Sequence, residues 1–312
     1  MPELPEVQTV VNTLAGRILG RRIATVRLLC DDIVDPPGCD LVGRLQNRII
    51  RAVTRRGKRI VFSLHDGNRF YIHLGMSGRL TLEPADSPIL KHTHLILKLV
   101  TDATHGQSDD GLHLRFRDPR RFGGVWWIGS EADGNGCDDR IGPEPLTLHP
   151  AQLAKRLART RRAIKSALLD QTLIAGLGNI YADESLFAAR LHPLTPASSL
   201  DDQQIARLNR AIKTTLRRAI RHRGSSLRDY VDADGLAGGF QNLHRVYDRA
   251  GQPCPACRTP IARIVISGRS TCFCPKCQTL QGARDTKTKS LPGHARHIWP
   301  DRDQCPKPTP AR

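Results

Sequence analysis

The first six residues, Met-Pro-Glu-Leu-Pro-Glu, place two carboxyl groups next to a potential secondary amine. If Met1 is removed, Pro2 becomes the terminal residue, and terminal amines have a pKa of about 7.7 to 8.0, so part of the population is unprotonated near neutral pH. Such an amine attacks an aldehyde-level carbon to give an iminium, whose positive charge acidifies the neighbouring C–H. The residues therefore predict a nucleophile followed by elimination, with Glu3 and Glu6 beside it.

The same residues also suit the start of a helix, and taken alone they favour that structural interpretation over the catalytic one. Pro5 fits a first helical turn, where its missing N–H costs nothing. Glu3 and Glu6 would lie near the partial positive charge of the helix N-terminus. An apolar stripe at helical spacing follows, made of Val7, Val10, Val11, Leu14 and Ile18. We predict that a helix anchors this terminus.

Two Cys-x-x-Cys pairs, Cys254 with Cys257 and Cys274 with Cys277, are separated by sixteen residues. Paired cysteines at this spacing predict a tetrahedral site of four thiolates for one structural Zn²⁺. Because four protein ligands leave no position open for water, we expect the zinc to have no catalytic role. Cys272 breaks the paired spacing and is assigned no zinc. No organic cofactor is expected.

The chain of 312 residues is strongly basic, with 48 Lys and Arg against 30 Asp and Glu and a net charge of +18. This charge predicts a polyanionic partner, and nucleic acid is favoured over a membrane surface. The sequence shows no apolar run as long as a membrane span and no secretory leader. We therefore expect a soluble intracellular protein.

The first half of the chain has the pattern of short strands, in a sandwich or barrel. Asp66-Gly67 lies between two of these strands and predicts a tight hairpin. Polar and glycine-rich segments at 102–111 and 129–145 predict loops, and the second marks a domain boundary. The predicted strands are 23–29, 49–53, 59–64, 69–74, 95–100 and 112–117.

From about residue 146 to 223 the apolar residues follow a helical period. Leu208, Ile212, Leu216 and Ile220 form one stripe, and arginines cover the other faces either as a solvated surface or as DNA contacts. Asn179 follows a glycine at a predicted helix start, where backbone N–H groups suit a phosphate. Residues 223–240 predict a functional loop, and residues 283–312 a disordered basic tail.

Six motifs, in order over about residues 1–282, resemble those of bacterial formamidopyrimidine-DNA glycosylase. They are Met-Pro-Glu-Leu-Pro-Glu at 1–6, Arg-Arg-Gly-Lys at 55–58, His-Leu-Gly-Met-Ser-Gly at 73–78, Asp-Pro-Arg-Arg-Phe-Gly at 118–123, Gly-Asn-Ile-Tyr at 178–181 and Arg-Ser-Thr-Cys-Phe-Cys-Pro at 269–275. Each motif alone is weak, whereas six in sequence are specific.

The resemblance implies an α+β multidomain fold. A β-sandwich with a leading helix would span 1–135, a helix–two-turn–helix domain with its lesion loop 146–240, and a four-cysteine zinc finger 245–282. It also implies a monomeric bifunctional DNA glycosylase and AP lyase of base excision repair, acting on double-stranded DNA in the bacterial cytoplasm, at the nucleoid. The substrates would be oxidised purines, chiefly 8-oxoguanine and formamidopyrimidines, and the strand would be cut by β- and δ-elimination.

The resemblance also implies roles for individual residues. Pro2 would attack C1′ of the damaged nucleoside, Glu3 would serve as the acid–base group, and Lys58 would lie near the lesion phosphate and sugar. Glu6 would belong to the same active site. The remaining residues would contact DNA. Asn179 and Arg269 would bind the phosphates around the flipped nucleotide, and Arg269 would also be catalytic. The space that the nucleotide leaves would be filled by Met76, Arg120 and Phe122, and the strand would be contacted by His73 and Arg121.

Two alternatives remain open at this point. One is an endonuclease VIII type of enzyme, which prefers oxidised pyrimidines; Leu4 and the loop residues 225–230 look more like the purine-specific branch. The other is a non-catalytic zinc protein that binds nucleic acid, motivated by charge and cysteines alone. Gln8, Arg223 and Gly239 depart from the family pattern, and they bear on how 8-oxoguanine is captured.

Overall fold

Helix α1 (Leu4–Ile18) opens the fold, and its apolar stripe is buried as predicted. The computed structural model describes residues 2–101, 111–130 and 141–280. The predicted loop at 102–111 and the tail at 283–312 thus fall almost wholly outside the described residues, as does much of 129–145. Pro5 occupies the first turn of α1, and the helix N-terminus is closed by Glu6, whose Oε2 accepts the backbone N–H of Glu3 at 2.8 Å.

Two sheets follow α1 and form the predicted β-sandwich. One has the strand order β1-β7-β8-β6 and the other the order β2-β9-β5-β4-β3, and all neighbours are antiparallel except β2 and β9. A short helix, α2 (Leu41–Leu45), lies between β2 and β3. The strands are β1 (Arg22–Leu28), β2 (Val34–Asp35), β3 (Ile50–Arg56), β4 (Arg59–Leu64), β5 (Arg69–His73), β6 (Arg79–Pro84), β7 (Thr93–Val100), β8 (Leu112–Arg117) and β9 (Gly124–Gly129).

Six of these strands match the predicted runs within two or three residues, and β4 and β5 are joined through Asp66-Gly67 as expected. The prediction missed β2, β6 and β9. Strand β2 has only two residues, β6 ends on a proline, and β9 begins and ends on glycine, so each lacks a clear strand signal. The inward faces of both sheets and the stripe of α1 share one apolar core.

The second core is helical. It is built from α3 (Pro150–Leu157), α4 (Ile164–Leu169), α5 (Asn179–Ala189) and α6 (Asp202–Arg221), together with Leu4 of α1. In α6 the predicted stripe faces this core: Leu208, Ile212 and Leu216 are buried, and Ile220 packs at its edge. Within the described ranges, no helix has the length and apolar character that crossing a bilayer requires.

The last described element is a hairpin of β10 (Ala262–Ile266) and β11 (Arg269–Phe273). Ser267 and Gly268 both have positive φ, which is the conformation of a tight two-residue turn. The hairpin and the four paired cysteines share a small core with Phe187 of α5 and Val246. Arg269 is the first residue after this turn and is exposed.

Candidate active site

The carboxyl group of Glu3 lies at the N-terminus of α5, although Glu3 itself precedes α1. It accepts three backbone N–H groups: Gly178 at 2.7 Å, Ile180 at 2.9 Å and Tyr181 at 3.3 Å. These donors have no partner inside α5, because the first turn of any helix leaves its N–H groups free. A Cβ at Gly178 would lie 2.4 Å from the carboxyl carbon of Glu3, so only glycine permits this approach. The sequence had placed Glu3 at the start of α1 only.

Glu6 lies in the first turn of α1 and is also buried. Its Oε1 accepts the Tyr181 hydroxyl at 2.5 Å and the Ser225 N–H at 2.7 Å, while its Oε2 accepts the Glu3 N–H. Burial and, secondly, the nearby Glu3 carboxyl group raise the pKa of Glu6, and although three hydrogen-bond donors lower it, the net change is from 4.5 to about 7. Glu6 is therefore poised to change its charge near neutral pH.

The contacts of Glu6 extend into the predicted functional loop at 223–240. Ser225 Oγ lies 3.4 Å from the Tyr181 hydroxyl and 3.0 Å from Nε2 of His244. The Tyr230 hydroxyl donates to the backbone carbonyl of Glu6 at 3.1 Å. The amino-terminal helix thus holds the start of this loop directly through buried hydrogen bonds.

A cavity of about 340 Å³ opens beside this network. Pro2, Met76 and Arg120 line it, and residues 225–230 contribute most of another wall. Pro2 is otherwise buried. The cavity therefore brings together the predicted nucleophile and two of the predicted void-filling residues, which lie far apart in the sequence.

Lys58 lies in the turn between β3 and β4, after Gly57, whose φ is positive. Glu144 fixes this turn: its Oε1 accepts the Gly57 N–H at 2.6 Å and its Oε2 pairs with Arg55 at 2.6 Å. Burial lowers the pKa of Lys58, and the charge of Arg269 lowers it too, whereas Glu3 and Glu6 act in the opposite direction. Lys58 therefore lies close to both glutamates and to Arg269.

A second cavity, of about 420 Å³, is lined by Lys58, His73 and Phe122. Burial, together with the charges of Lys58 and Arg59, lowers the pKa of His73 to about 4, so its ring is neutral near pH 7. Its Nδ1 accepts the Gly75 N–H at 3.1 Å. Phe122 is 61% exposed.

Asn179 is hydrogen-bonded to the backbone of the β10–β11 hairpin at Ser270, the residue after Arg269. Asn179 Nδ2 donates to the carbonyl of Ser270 at 2.9 Å, and Lys165 Nζ donates to the same oxygen at 2.9 Å. Lys165 also forms a buried ion pair with Asp183 of α5 at 2.7 Å. Because Arg269 directly precedes Ser270, these contacts fix the position of the Arg269 backbone.

Arg121, like Asn179 and Arg269, is a predicted DNA contact that lines neither cavity. Its guanidinium is exposed and pairs with Asp32 at 2.6 Å. The backbone of Arg121 has a φ of 52°, in the left-handed region, because it closes a turn in which its N–H donates to the carbonyl of Asp118 at 3.2 Å. Its side chain is therefore directed by the turn and by Asp32.

The four paired cysteines meet as predicted, with all Sγ atoms within 4.8 Å of one another. Cys254 and Cys277 are 3.9 Å apart and Cys257 and Cys274 are 3.4 Å apart. Zn–S bonds of about 2.3 Å in a tetrahedron require sulfur separations of about 3.8 Å. The four cysteines thus fit one structural Zn²⁺. Cys272 is outside this cluster, as predicted; its N–H donates to Asp183 at 3.0 Å.

Several residues of the site had not been assigned a role from the sequence: Tyr181, Ser225, His244, Asp118 and Glu144. Tyr181 and Asp118 fall within recognised motifs, so their motif membership was the available signal. Ser225, His244 and Glu144 act through contacts with residues more than fifteen positions away. No local pattern identifies such partners.

Comparison with known proteins matches three family profiles along the chain. They are described as the formamidopyrimidine-DNA glycosylase N-terminal domain at 1–125, the formamidopyrimidine-DNA glycosylase H2TH domain at 141–231, and the zinc finger found in FPG and IleRS at 251–280. A relative from Roseiflexus sp. (strain RS-1), named formamidopyrimidine-DNA glycosylase, is 44% identical over 283 residues, covering 89% of this chain and 100% of the relative.

Comparison with solved structures finds similarity to the same family. Wild-type Lactococcus lactis Fpg in complex with DNA containing N7-benzyl-Fapy-dG has a TM-score of 0.80 and 36% identity, and the match covers 89% of this chain and 100% of that one. The same enzyme in complex with DNA containing an oxidised pyrimidine has a TM-score of 0.79 and 35% identity, with the same coverage.

The raised pKa of Glu6 predicts a specific pH dependence of stability. A carboxyl group whose pKa rises from 4.5 to about 7 on folding favours the folded state most below pH 4.5, and this contribution is lost as the pH rises through 7. We expect the free energy of unfolding of the parent relative to Glu6→Gln to fall by about 2 kcal/mol between about pH 5.5 and 8.5. Urea unfolding followed by tryptophan fluorescence measures it.

Asn12→Ala, at an exposed position of α1, is the control for this series. Neither side chain titrates, so its difference from the parent should stay constant across the same pH range. A difference between parent and Glu6→Gln that is equally constant would contradict a raised pKa at Glu6.

The zinc assignment predicts that Cys254→Ser and Cys277→Ser each lose the metal, because three remaining ligands bind it too weakly to fold the finger. Metal content by mass spectrometry should fall from one equivalent to near zero, and binding of duplex DNA should be lost while the β-sandwich stays folded. Cys272→Ala is the matched control and should retain its zinc. Full zinc content in either serine variant would refute the assignment.

Proposed function

The chain belongs to the formamidopyrimidine-DNA glycosylase family and is a DNA glycosylase of base excision repair, and from that premise we propose its substrate and mechanism. The protein removes oxidised purines, chiefly 8-oxoguanine and formamidopyrimidines, from duplex DNA. It then cleaves the strand as a lyase, through a covalent intermediate on Pro2 that forms once Met1 has been removed.

The observation that carries this proposal is the position of Pro2. It lines the cavity of about 340 Å³, and it is followed immediately by Glu3, whose carboxyl group is tied to α5 by three N–H donors. Because the next residue is fixed, the nitrogen of Pro2 has little freedom to move. A nucleophile held in place in this way gains rate from a lower entropic cost of reaction.

The proposed chemistry starts with attack of the Pro2 nitrogen on C1′ of a nucleotide rotated out of the helix. The bond from C1′ to the base breaks, and the base leaves with a proton. Glu3 then assists opening of the sugar ring by proton transfer at O4′, which leaves an iminium between Pro2 and C1′. Loss of a proton from C2′ expels the 3′ phosphate, and a second elimination expels the 5′ phosphate. Hydrolysis of the iminium frees the enzyme.

The cationic and polar residues around the cavity would hold the strand. Lys58 and Arg269 interact electrostatically with each other, and Asn179 is tied to the residue after Arg269. Together with the neutral ring of His73, they offer donors for the phosphates on either side of the rotated nucleotide.

Met76, Arg120 and Phe122 would fill the space that the nucleotide leaves in the duplex. Met76 is 41% exposed and Phe122 is 61% exposed, although both are apolar. An apolar wedge together with a guanidinium that pairs with the orphaned cytosine meets the needs of such a gap. Arg121, which pairs with Asp32 in the structure, would contact the strand beside them.

We further propose the domain limits 1–135, 146–240 and 245–282 for the sandwich, the helix–two-turn–helix domain and the zinc finger. The enzyme would act as a monomer on DNA at the nucleoid, in the cytoplasm. The charge of +18 supports attachment along the DNA backbone.

The alternative substrate class is oxidised pyrimidines. It is favoured by one observation: the Lactococcus lactis relative has been solved in complex with DNA containing an oxidised pyrimidine. Gly239 and Arg223, which depart from the family pattern, both lie within the loop at 223–240, and Arg223 pairs with Asp232. These residues bear on which bases the loop accepts.

The decisive experiment uses otherwise identical duplexes containing 8-oxoguanine, formamidopyrimidine or thymine glycol. We expect the two oxidised purines to be cleaved at least about tenfold faster than thymine glycol, a difference of about 1.4 kcal/mol in transition-state binding. Borohydride should trap a covalent adduct with 8-oxoguanine duplexes, and the products should carry phosphate at both sides of a one-nucleotide gap.

Pro2→Ala should slow trapping by at least about tenfold, because its primary amine gives an imine that is charged only when protonated, whereas Pro5→Ala, in the first turn of α1, should match the parent. Faster cleavage of thymine glycol would establish the pyrimidine alternative. DNA binding without cleavage of any duplex would instead establish a non-catalytic binder and overturn the proposed mechanism.

A further inference from the structure

Two loops carry the proposed void-filling residues, and they lie in contact. The Met76 loop, residues 74–78, joins β5 to β6, and the Arg120 loop, residues 118–123, joins β8 to β9. A Cβ at Gly75 would lie 2.4 Å from the Gly123 nitrogen, and a Cβ at Gly123 would lie 2.3 Å from the His73 carbonyl oxygen. The two backbones therefore pack directly against each other, without side chains between them.

Asp118 is the side chain that joins the two loops. Its Oδ1 accepts the Ser77 hydroxyl at 2.6 Å and the Arg120 N–H at 3.2 Å, and its Oδ2 accepts the Gly123 N–H at 2.8 Å. One bond reaches the Met76 loop, and two hold the Arg120 loop in its turn. The residue is completely buried, although its neighbours from residue 119 to 122 are exposed.

The backbone of Asp118 is fixed as well. Its N–H donates to the carbonyl of His92 at 3.0 Å, and its own carbonyl lies 2.8 Å from Nε2 of His94. These contacts attach the loops to the start of β7, within the sheet. Met76 and Arg120 are thereby carried on a rigid element before any DNA is present.

A buried aspartate that only capped a turn would need one acceptor oxygen. Here both oxygens are used, and three donors converge on them. An asparagine has the same shape but a single acceptor oxygen, and its NH₂ group would face a donor. A carboxyl group is therefore required at the position where the two loops meet.

We propose that Asp118 is a positioning residue that sets the spacing of Met76 and Arg120 and so determines how strictly the enzyme requires cytosine opposite the lesion. The inference rests on the proposed function of these two side chains. Arg120 must reach the orphaned base while Met76 fills the stack, and recognition of this kind tolerates displacements of only about 0.5 Å. Loss of Asp118 lets the loops move independently, which weakens discrimination between opposite bases.

The test compares Asp118→Asn and Ser77→Ala with the parent in the full, zinc-loaded protein. Asp66→Asn is the matched control: it removes the same charge at the opposite end of β5, in the β4–β5 turn. The primary readout is binding to duplexes with a tetrahydrofuran abasic analogue opposite cytosine or adenine. This readout needs no chemistry, so it stays informative even if the proposed substrate or lyase step is wrong.

In the parent, binding should favour cytosine. We expect Asp118→Asn to reduce the ratio of the two affinities by about fivefold to tenfold, and Ser77→Ala, which loses one of the three bonds, by about twofold to threefold. Cleavage of a single-stranded abasic oligonucleotide should stay within about twofold of the parent for both variants, because a single strand has no opposite base and no stack to fill. Asp66→Asn should match the parent in every assay.

Two results would overturn the proposal. One is that Ser77→Ala and any folded preparation of Asp118→Asn both keep the parent's ratio of affinities for the cytosine and adenine duplexes. The other is an equal loss of activity on duplex and single-stranded substrates, which would mean that Asp118 supports the fold in general. If Asp118→Asn does not fold, the result for Ser77→Ala decides alone. Failure of the parent to cleave 8-oxoguanine would count against the proposed function, whereas the binding ratios would still test the positioning role.

Discussion

One buried carboxyl group joins the β-sandwich to the helical core. Glu3 stands at the start of α1, which packs in the sandwich, but its oxygens accept the N–H groups of Gly178, Ile180 and Tyr181 at the start of α5. Three unpaired N–H groups buried without this acceptor would each cost about 1 to 3 kcal/mol. The contact therefore stabilises the helix start, and the residue before Glu3 is held at the cavity as a consequence. The amino-terminal residues are fixed by the same bonds that join the two cores.

Helix α5 extends this arrangement along its length, and it is buried on nearly every side. Tyr181 reaches Glu6 in α1, and Asp183 accepts the Cys272 N–H of β11. Glu184 accepts three consecutive N–H groups, those of residues 245–247, on the way to the zinc finger. A single helix thus orders the amino-terminal residues, the functional loop and the finger around one cavity. The polar side chains of α5, which in most helices would face solvent, make these contacts with the neighbouring segments.

Much of the fold follows from local pattern. The stripe of α1, six strands and the stripe of α6 were predictable because burial on one face leaves a period in the sequence. The cysteine cluster was predictable because paired Cys-x-x-Cys spacing is typical of zinc ligands. Helix α5 has no such period, since it is enclosed, and its acidic residues resemble a solvated surface. The proposed chemistry of Pro2 comes from its residue type, and its proposed partners come from the motifs. What the sequence could not supply was the second attachment of Glu3, the pairing of Arg121 with Asp32, or the role of Asp118, because each depends on contacts between distant segments.

The central claim is that the nitrogen of Pro2 is the atom that the fold presents to the sugar. Mass spectrometry of peptides from the borohydride-reduced protein–DNA adduct tests it most directly. We expect Met1 to be absent and the sugar remnant to be attached to the nitrogen of Pro2. A remnant attached to Lys58 or another lysine, or fully active enzyme that still carries Met1, would contradict it.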